Sequence, residues 1–272
     1  MCDGWVDSAS SWSFDPAMAA LLVVAAGAYT AGVRRLAARG RRWRSARALW
    51  FATGLAVVAL ASMSGLAACE AERLDLHAVQ HTLLSIVGPL LLVAGAPITL
   101  ALQASGRSWQ RTLVDLLHQP TLRILAHPVV SGGLLTASIF ALYLTPLLGA
   151  SLERPVLHAA VHLHMLAFGL LFVGAVVAVD PVPTPGGFAL RLLAAALMIP
   201  FHGIAGVALM GSDHLLAPAY YSLADQRAGG AALWAMGDLA GLAVLGVVVV
   251  RWVRAELRAE ARRPAQDMAP TG

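Results

Sequence analysis

Apolar residues fill seven long runs, at about 16–33, 48–69, 78–103, 128–149, 156–179, 189–211 and 230–251, with polar residues gathered between them. At 1.5 Å per residue, each run is long enough to cross the roughly 30 Å of hydrocarbon in a bilayer. No water is available there to satisfy the backbone, so the runs must be helices. Abundant Ala, Leu and Gly with little two-residue alternation fit packed transmembrane helices better than barrel strands. The third run contains Pro89 and Pro97, so a kink is expected in it. The pattern predicts an all-α polytopic membrane protein of seven transmembrane helices. A single membrane domain covers 1–255, and a polar tail follows at 256–272.

Composition narrows the class. The chain of 272 residues is 58% hydrophobic and 12% charged, whereas soluble domains carry about 25% charged residues. That excludes a water-soluble globule, a disordered chain and a disulfide-rich secreted scaffold. All 19 basic residues are Arg, and the absence of Lys excludes a retinal Schiff base. The basic balance is not a nucleic-acid signature, because the Arg residues flank the apolar runs. With seven spans, 16 of the 19 fall on one side, and only Arg73, Arg154 and Arg227 on the other. The positive-inside rule then puts the N-terminus outside and the C-terminus, with its tail, in the cytoplasm. The first 15 residues hold Asp3, Asp7 and Asp15 and no positive charge, so no cleavable leader is expected.

The histidines carry the chemistry. Of the nine, His118 and His127 belong to the cytoplasmic 104–127 loop. On this topology His77, His81, His158, His162, His164, His202 and His214 all lie in or just beyond the outer half of the membrane. His77 and His81 are separated by four residues, as are His158 and His162, so each pair shares a helix face. Met165 continues the face of the second pair, whereas His164 points elsewhere. Paired imidazoles on facing helices are a common way to build a metal site. The bland alternative for any one His is an interfacial polar group bonded to a neighbour. Imidazole suits zinc, copper and iron, and thioether selects Cu(I). Met63, Met165, Met210 and Met236 at the same level tilt the reading toward copper. Zinc and a b-type haem remain as alternatives.

Several auxiliary groups lie nearby. Asp238 is placed to orient a ligand imidazole. Glu70, Glu72 and Asp75 form an acidic approach to His77. Cys69 stands at the outer end of the second run, and its pairing with Cys2 is open. Trp234 and Tyr220–Tyr221 fit an interfacial aromatic belt.

The segment from His77, HAVQHTLLSIVGPLLLVAGAPITLAL, resembles the CtaG-like (caa3-type) family of cytochrome c oxidase assembly factors. YLTPLLGASLERPVLH from Tyr143, HLHMLAFGLLF from His162, PFHGIAGVALM from Pro200 and LADQRAGGAALWAMGD from Leu223 match in the same order. The likeness covers about residues 70–250. It implies a seven-helix protein of the bacterial plasma membrane that is not an enzyme. It also implies copper handling for a haem–copper oxidase subunit, with an extracytoplasmic copper donor as a further partner. His77, His81, His158 and His202 carry over from the motifs. His162 and His164 are each matched in different branches, so one of the two is left open. Two positions depart from the pattern, since Val161 stands where some members have Glu and Met165 where an aromatic is common. Some relatives carry a fused copper-resistance membrane domain, of which this sequence shows no part. The rival readings from the residues alone are a seven-helix zinc hydrolase, with Asp238 or Asp75 as base, and a haem-binding electron carrier.

Overall fold

A computed structural model describes residues 12–181 and 187–261. Among them the chain is all helical, with no strand. Cys2, Asp3, Asp7, Arg262, Arg263 and the tail beyond residue 261 lie outside the described residues.

The first helix, α1 (Pro16–Ala38), starts where Asp15 Oδ1 accepts from the amides of Ala17 and Met18 at 2.9 and 3.0 Å. Pro16 at the first helical position costs nothing, because its missing N–H would have no partner there. α2 (Ser45–Met63) and the short α3 (Gly65–Ala68) form the second apolar element.

The third element runs from Leu74 to Ala104 and is built in pieces. α4 (Leu74–Thr82) passes into a π-helical turn at Leu83–Val87, then α5 (Gly88–Ala94) and α6 (Pro97–Ala104). The expected irregularity is there, and each proline has its own part in it. Pro89 cannot donate to the carbonyl of Ser85 four residues earlier, and the π-helical turn lies on that stretch. Ahead of Pro97 the helix breaks at Ala96, which takes the left-handed φ of 53°. Asp180 secures the restart of the chain. Its carboxylate accepts from the amides of Ile98 and Thr99 at 3.1 and 2.8 Å and from Thr99 Oγ1 at 2.6 Å.

The loop expected at 104–127 contains two helices, α7 (Arg107–Leu117) and α8 (Pro120–Leu125). The fourth apolar run is not one straight span. α9 (Pro128–Leu144) ends before Pro146, and α10 (Leu147–Glu153) leaves it at 79°. Proline disfavours helical geometry in the residue before it, which fits the break at Thr145. α11 (Pro155–Val177), α12 (Phe188–Gly211) and α13 (Leu223–Glu260) complete the chain. Ser222 and Asp225 close a capping box at the start of α13. Among the described residues, six helices are long and apolar enough to cross a membrane, or seven if the bent α9–α10 pair is one span.

The α4–α5 element packs against α2, α11 and α13, while α1 lies outside against α6 and α2. Gly169 of α11 makes the tightest approach. A Cβ there would sit 2.1 Å from the carbonyl oxygen of Ser85 and 2.8 Å from Pro89. The absence of a side chain lets α11 close on the π-helical turn. One end of the bundle collects His77, His81, His158 and His162. The other collects the Arg-rich connections 34–47 and 107–123 and the arginines late in α13.

Candidate metal centre

The two histidine pairs meet. His77 and His81 occupy successive turns of α4, with ring centroids 4.2 Å apart. His158 and His162 do the same at the start of α11, at 4.3 Å. Across the helices, His77 lies 5.6 Å from His158, and His81 lies 5.2 Å from His162. His77, His81 and His162 are 0, 2 and 4% exposed.

Glu70, on the loop between α3 and α4, closes the group. Its Oε1 stands 3.0 Å from His158 Nε2, off the axis of a good hydrogen bond, and its Oε2 stands 3.9 Å from His162 Nε2. One donor atom from each of Glu70, His158 and His162 lies within 4.8 Å of the others. Burial alone raises the Glu70 carboxyl. The adjoining His158, then His77 and His162, outweigh burial and hold it below its ordinary value.

Two tyrosines back the histidines. The Tyr143 hydroxyl of α9 lies 3.0 Å from His81 Nδ1. Tyr221, on the loop before α13, donates its hydroxyl proton to the Glu70 carbonyl and lies 3.4 Å from His77 Nδ1. Burial, then the neighbouring Glu70, pushes the Tyr221 phenol above its ordinary pKa, so it keeps that proton. With the proton committed to Glu70, the Tyr221 oxygen is left to accept from His77 Nδ1–H. That tautomer leaves the lone pair on Nε2.

Among the described residues, Nε2 of His77, His81 and His162, both ring nitrogens of His158 and Oε2 of Glu70 are buried with no hydrogen-bond partner. Buried polar groups nearly always find partners, and orphans on this scale require an explanation. An ion bound by Glu70, His158 and His162 would engage one such atom from each of these three residues, with the His77 and His81 rings packed beside them. Four imidazoles and a carboxylate suit copper or zinc.

The structure does not bring the other candidates to this group. His164 is exposed on the opposite face of α11, with Nε2 2.6 Å from Ser138 Oγ. His202 is buried against Gly237 of α13, and its Nδ1 is 3.0 Å from the Met198 carbonyl. Its ring makes none of the contacts that join the other four. Asp238 faces the same region, and its buried Oδ1 has no hydrogen-bond partner. His214 is an exposed loop residue, His118 is exposed and His127 caps α9. Met165 belongs to the apolar core, Met236 is half-buried on α13, and Met210 packs near Gly230. Cys69 is disulfide-bonded and offers no free thiol.

Three sequence expectations change. Glu70 is part of the centre and not merely an approach to it. Tyr221 is 4% exposed beside His77, and not part of an aromatic belt. Asp75 is paired with Arg73 at 2.5 Å. Tyr143 was not singled out, and only its place at the head of a family-like segment hinted at it.

No solved structure matches the chain. An uncharacterised protein of Mycobacterium bovis is 31% identical over 92% of this chain, and one of Mycobacterium leprae is 28% identical over 92%. The chain spans 40% and 41% of the lengths of these relatives. The family model for the cytochrome c oxidase caa3 assembly factor matches residues 27–255, across α4, α11, and the loops that carry Glu70 and Tyr221. The chain belongs to the cytochrome c oxidase caa3 assembly factor family.

Proposed function

We propose that the protein takes up copper at the Glu70, His77, His81, His158 and His162 centre and hands it to the catalytic subunit of a haem–copper oxidase. Copper is cargo here, so no bond of a substrate need be made or broken. The observation that carries this reading is the convergence of buried, unpartnered donor atoms at one end of the bundle. A group richer in donors than one ion needs can release metal by ligand exchange, since an incoming ligand replaces one imidazole while others keep hold. Tyr221 leaves the lone pair of His77 on Nε2, and Tyr143 steadies the His81 ring through its contact with Nδ1. His158 and Glu70, at 13 and 17% side-chain exposure, are the most accessible members and form the doorway. The orientation with this end outside makes an extracytoplasmic donor the source.

A zinc hydrolase is favoured by one feature, the two-His-one-Glu grouping of Glu70, His158 and His162, a donor set also used by catalytic zinc. Elemental analysis of purified protein, loaded with copper and zinc together and then washed, separates the readings. Near-stoichiometric copper, lost in His77→Ala/His81→Ala, supports the assembly reading. Stoichiometric zinc supports the hydrolase, and no retained metal in the parent overturns both.

A further inference from the structure

At the Arg-rich end, far from the histidines, a cleft of about 580 Å³ opens between α2, the end of α5, the end of α11 and α13. Its inner wall is apolar, formed by Leu90, Ala94, Val177, Val247 and Val250. Its rim carries four guanidinium groups, from Arg44 just ahead of α2, Arg47 of α2, and Arg251 and Arg254 of α13. Among the described residues, no carboxylate lies within ion-pair distance of any of the four. The Arg47 guanidinium rests 4.9 Å from the Trp43 ring centroid, and Arg251 spends one N–H on the Ala178 carbonyl at 2.9 Å. The acid next to the cleft, Asp180, is fully engaged in capping α6. Arg191 and Arg258 add their positive fields at Arg251.

Four uncompensated cations above an apolar slot require a ligand with an anionic head and a hydrocarbon tail. Along α13 the order is right. Ala243, Gly246, Val247 and Val250 form the slot, and Arg251 and Arg254 follow one turn later on the same side. Guanidinium groups recognise phosphate through paired N–H donors, and basic pockets between membrane helices suit anionic headgroups. We infer that this cleft is a binding site for an anionic glycerophospholipid, its phosphate held by Arg44, Arg47, Arg251 and Arg254 and one acyl chain lying along α13. The bound lipid ties α2 to α13 at the end opposite the metal centre. The inference does not depend on which metal that centre holds.

Native mass spectrometry of the full chain in detergent, titrated with phosphatidylglycerol and with phosphatidylcholine, tests it. The parent retains phosphatidylglycerol in preference to phosphatidylcholine. Arg251→Gln/Arg254→Gln weakens that retention by roughly tenfold or more, taking each arginine near a lipid surface at its usual weight. Gly246→Leu weakens it to a similar degree without touching a charge. Gly246 lines the slot and a Cβ there meets nothing within 4 Å, so the leucine fills the tail space, and helix α13 accepts leucine better than glycine. Arg107→Gln/Arg111→Gln, on α7, leaves retention unchanged. Lack of preference in the parent, or an equal loss in the α7 variant, overturns the site in favour of diffuse surface charge. Displacement of the lipid by millimolar inorganic phosphate, with Gly246→Leu unaffected, overturns it in favour of a free-anion site.

Discussion

At the scale of the residue, the centre is specified by what holds each imidazole as much as by the imidazoles. Tyr221 gives its proton to the Glu70 carbonyl and so accepts from His77. Groups in this position typically account for 10- to 100-fold in metal affinity. Tyr221→Phe is therefore expected to lower copper affinity by about that factor without abolishing binding, as read by competition with a chromophoric chelator. A second prediction separates His162 from His164. Two residues apart on a helix, they point about 200° apart, and only His162 joins Glu70 and His158. His162→Ala loses metal, whereas His164→Ala keeps it and gives up only a bond to Ser138. The i, i+4 spacing made both histidine pairs legible in sequence. Glu70 and Tyr221 were not legible as partners, because 151 residues separate them and only tertiary packing joins their loops. His202 matched the family motif, yet sequence does not reveal which neighbour a helix turns toward, and here α12 turns it toward Gly237.

At the scale of the element, the centre depends on α4 and α11 staying in register, and the lock is the contact of Gly169 with the π-helical turn. Gly169 lies seven residues after His162, two turns along nearly the same face. Any side chain at 169 has to push α11 away from Ser85 and Pro89. Gly169→Leu is expected to destabilise the protein by about 1–3 kcal/mol, the usual cost of overpacking, and to weaken metal binding as the two pairs separate. Thermal unfolding in detergent and the copper titration read the two effects. Gly174→Leu, where a Cβ meets nothing within 4 Å, is the control and leaves both near parent values. The existence of the helices was readable from their apolar runs, because lipid demands a length. The breaks were half readable. Pro89 and Pro97 flagged the third run, but the bend of 79° between α9 and α10 turns on Pro146, within a run whose apolar count looked continuous.

At the scale of the whole molecule, the two ends of the bundle differ in charge as well as in chemistry. Among the described residues, Arg34, Arg35, Arg39, Arg41, Arg42, Arg44 and Arg47 gather at one end, with the arginines of α7, α8, the start of α12 and late α13. The histidine end keeps only Arg73, Arg154 and Arg227, of which Arg73 pairs with Asp75 and Arg227 lies 3.5 Å from Asp213. Insertion retains arginine-rich loops in the cytoplasm, so the metal centre is expected to face the extracytoplasmic side. Single-cysteine labelling with a membrane-impermeant maleimide in whole cells tests this. Asp213 and Ser108 are exposed at opposite ends, and Cys69 is already in a disulfide, so an introduced thiol dominates the signal. Asp213→Cys labels in intact cells, and Ser108→Cys labels only after permeabilisation. The reverse pattern would place the centre in the cytoplasm, where an extracytoplasmic donor cannot reach Glu70 and His158. Delivery would then have to start from the cytosolic copper pool, and the direction of handover would invert.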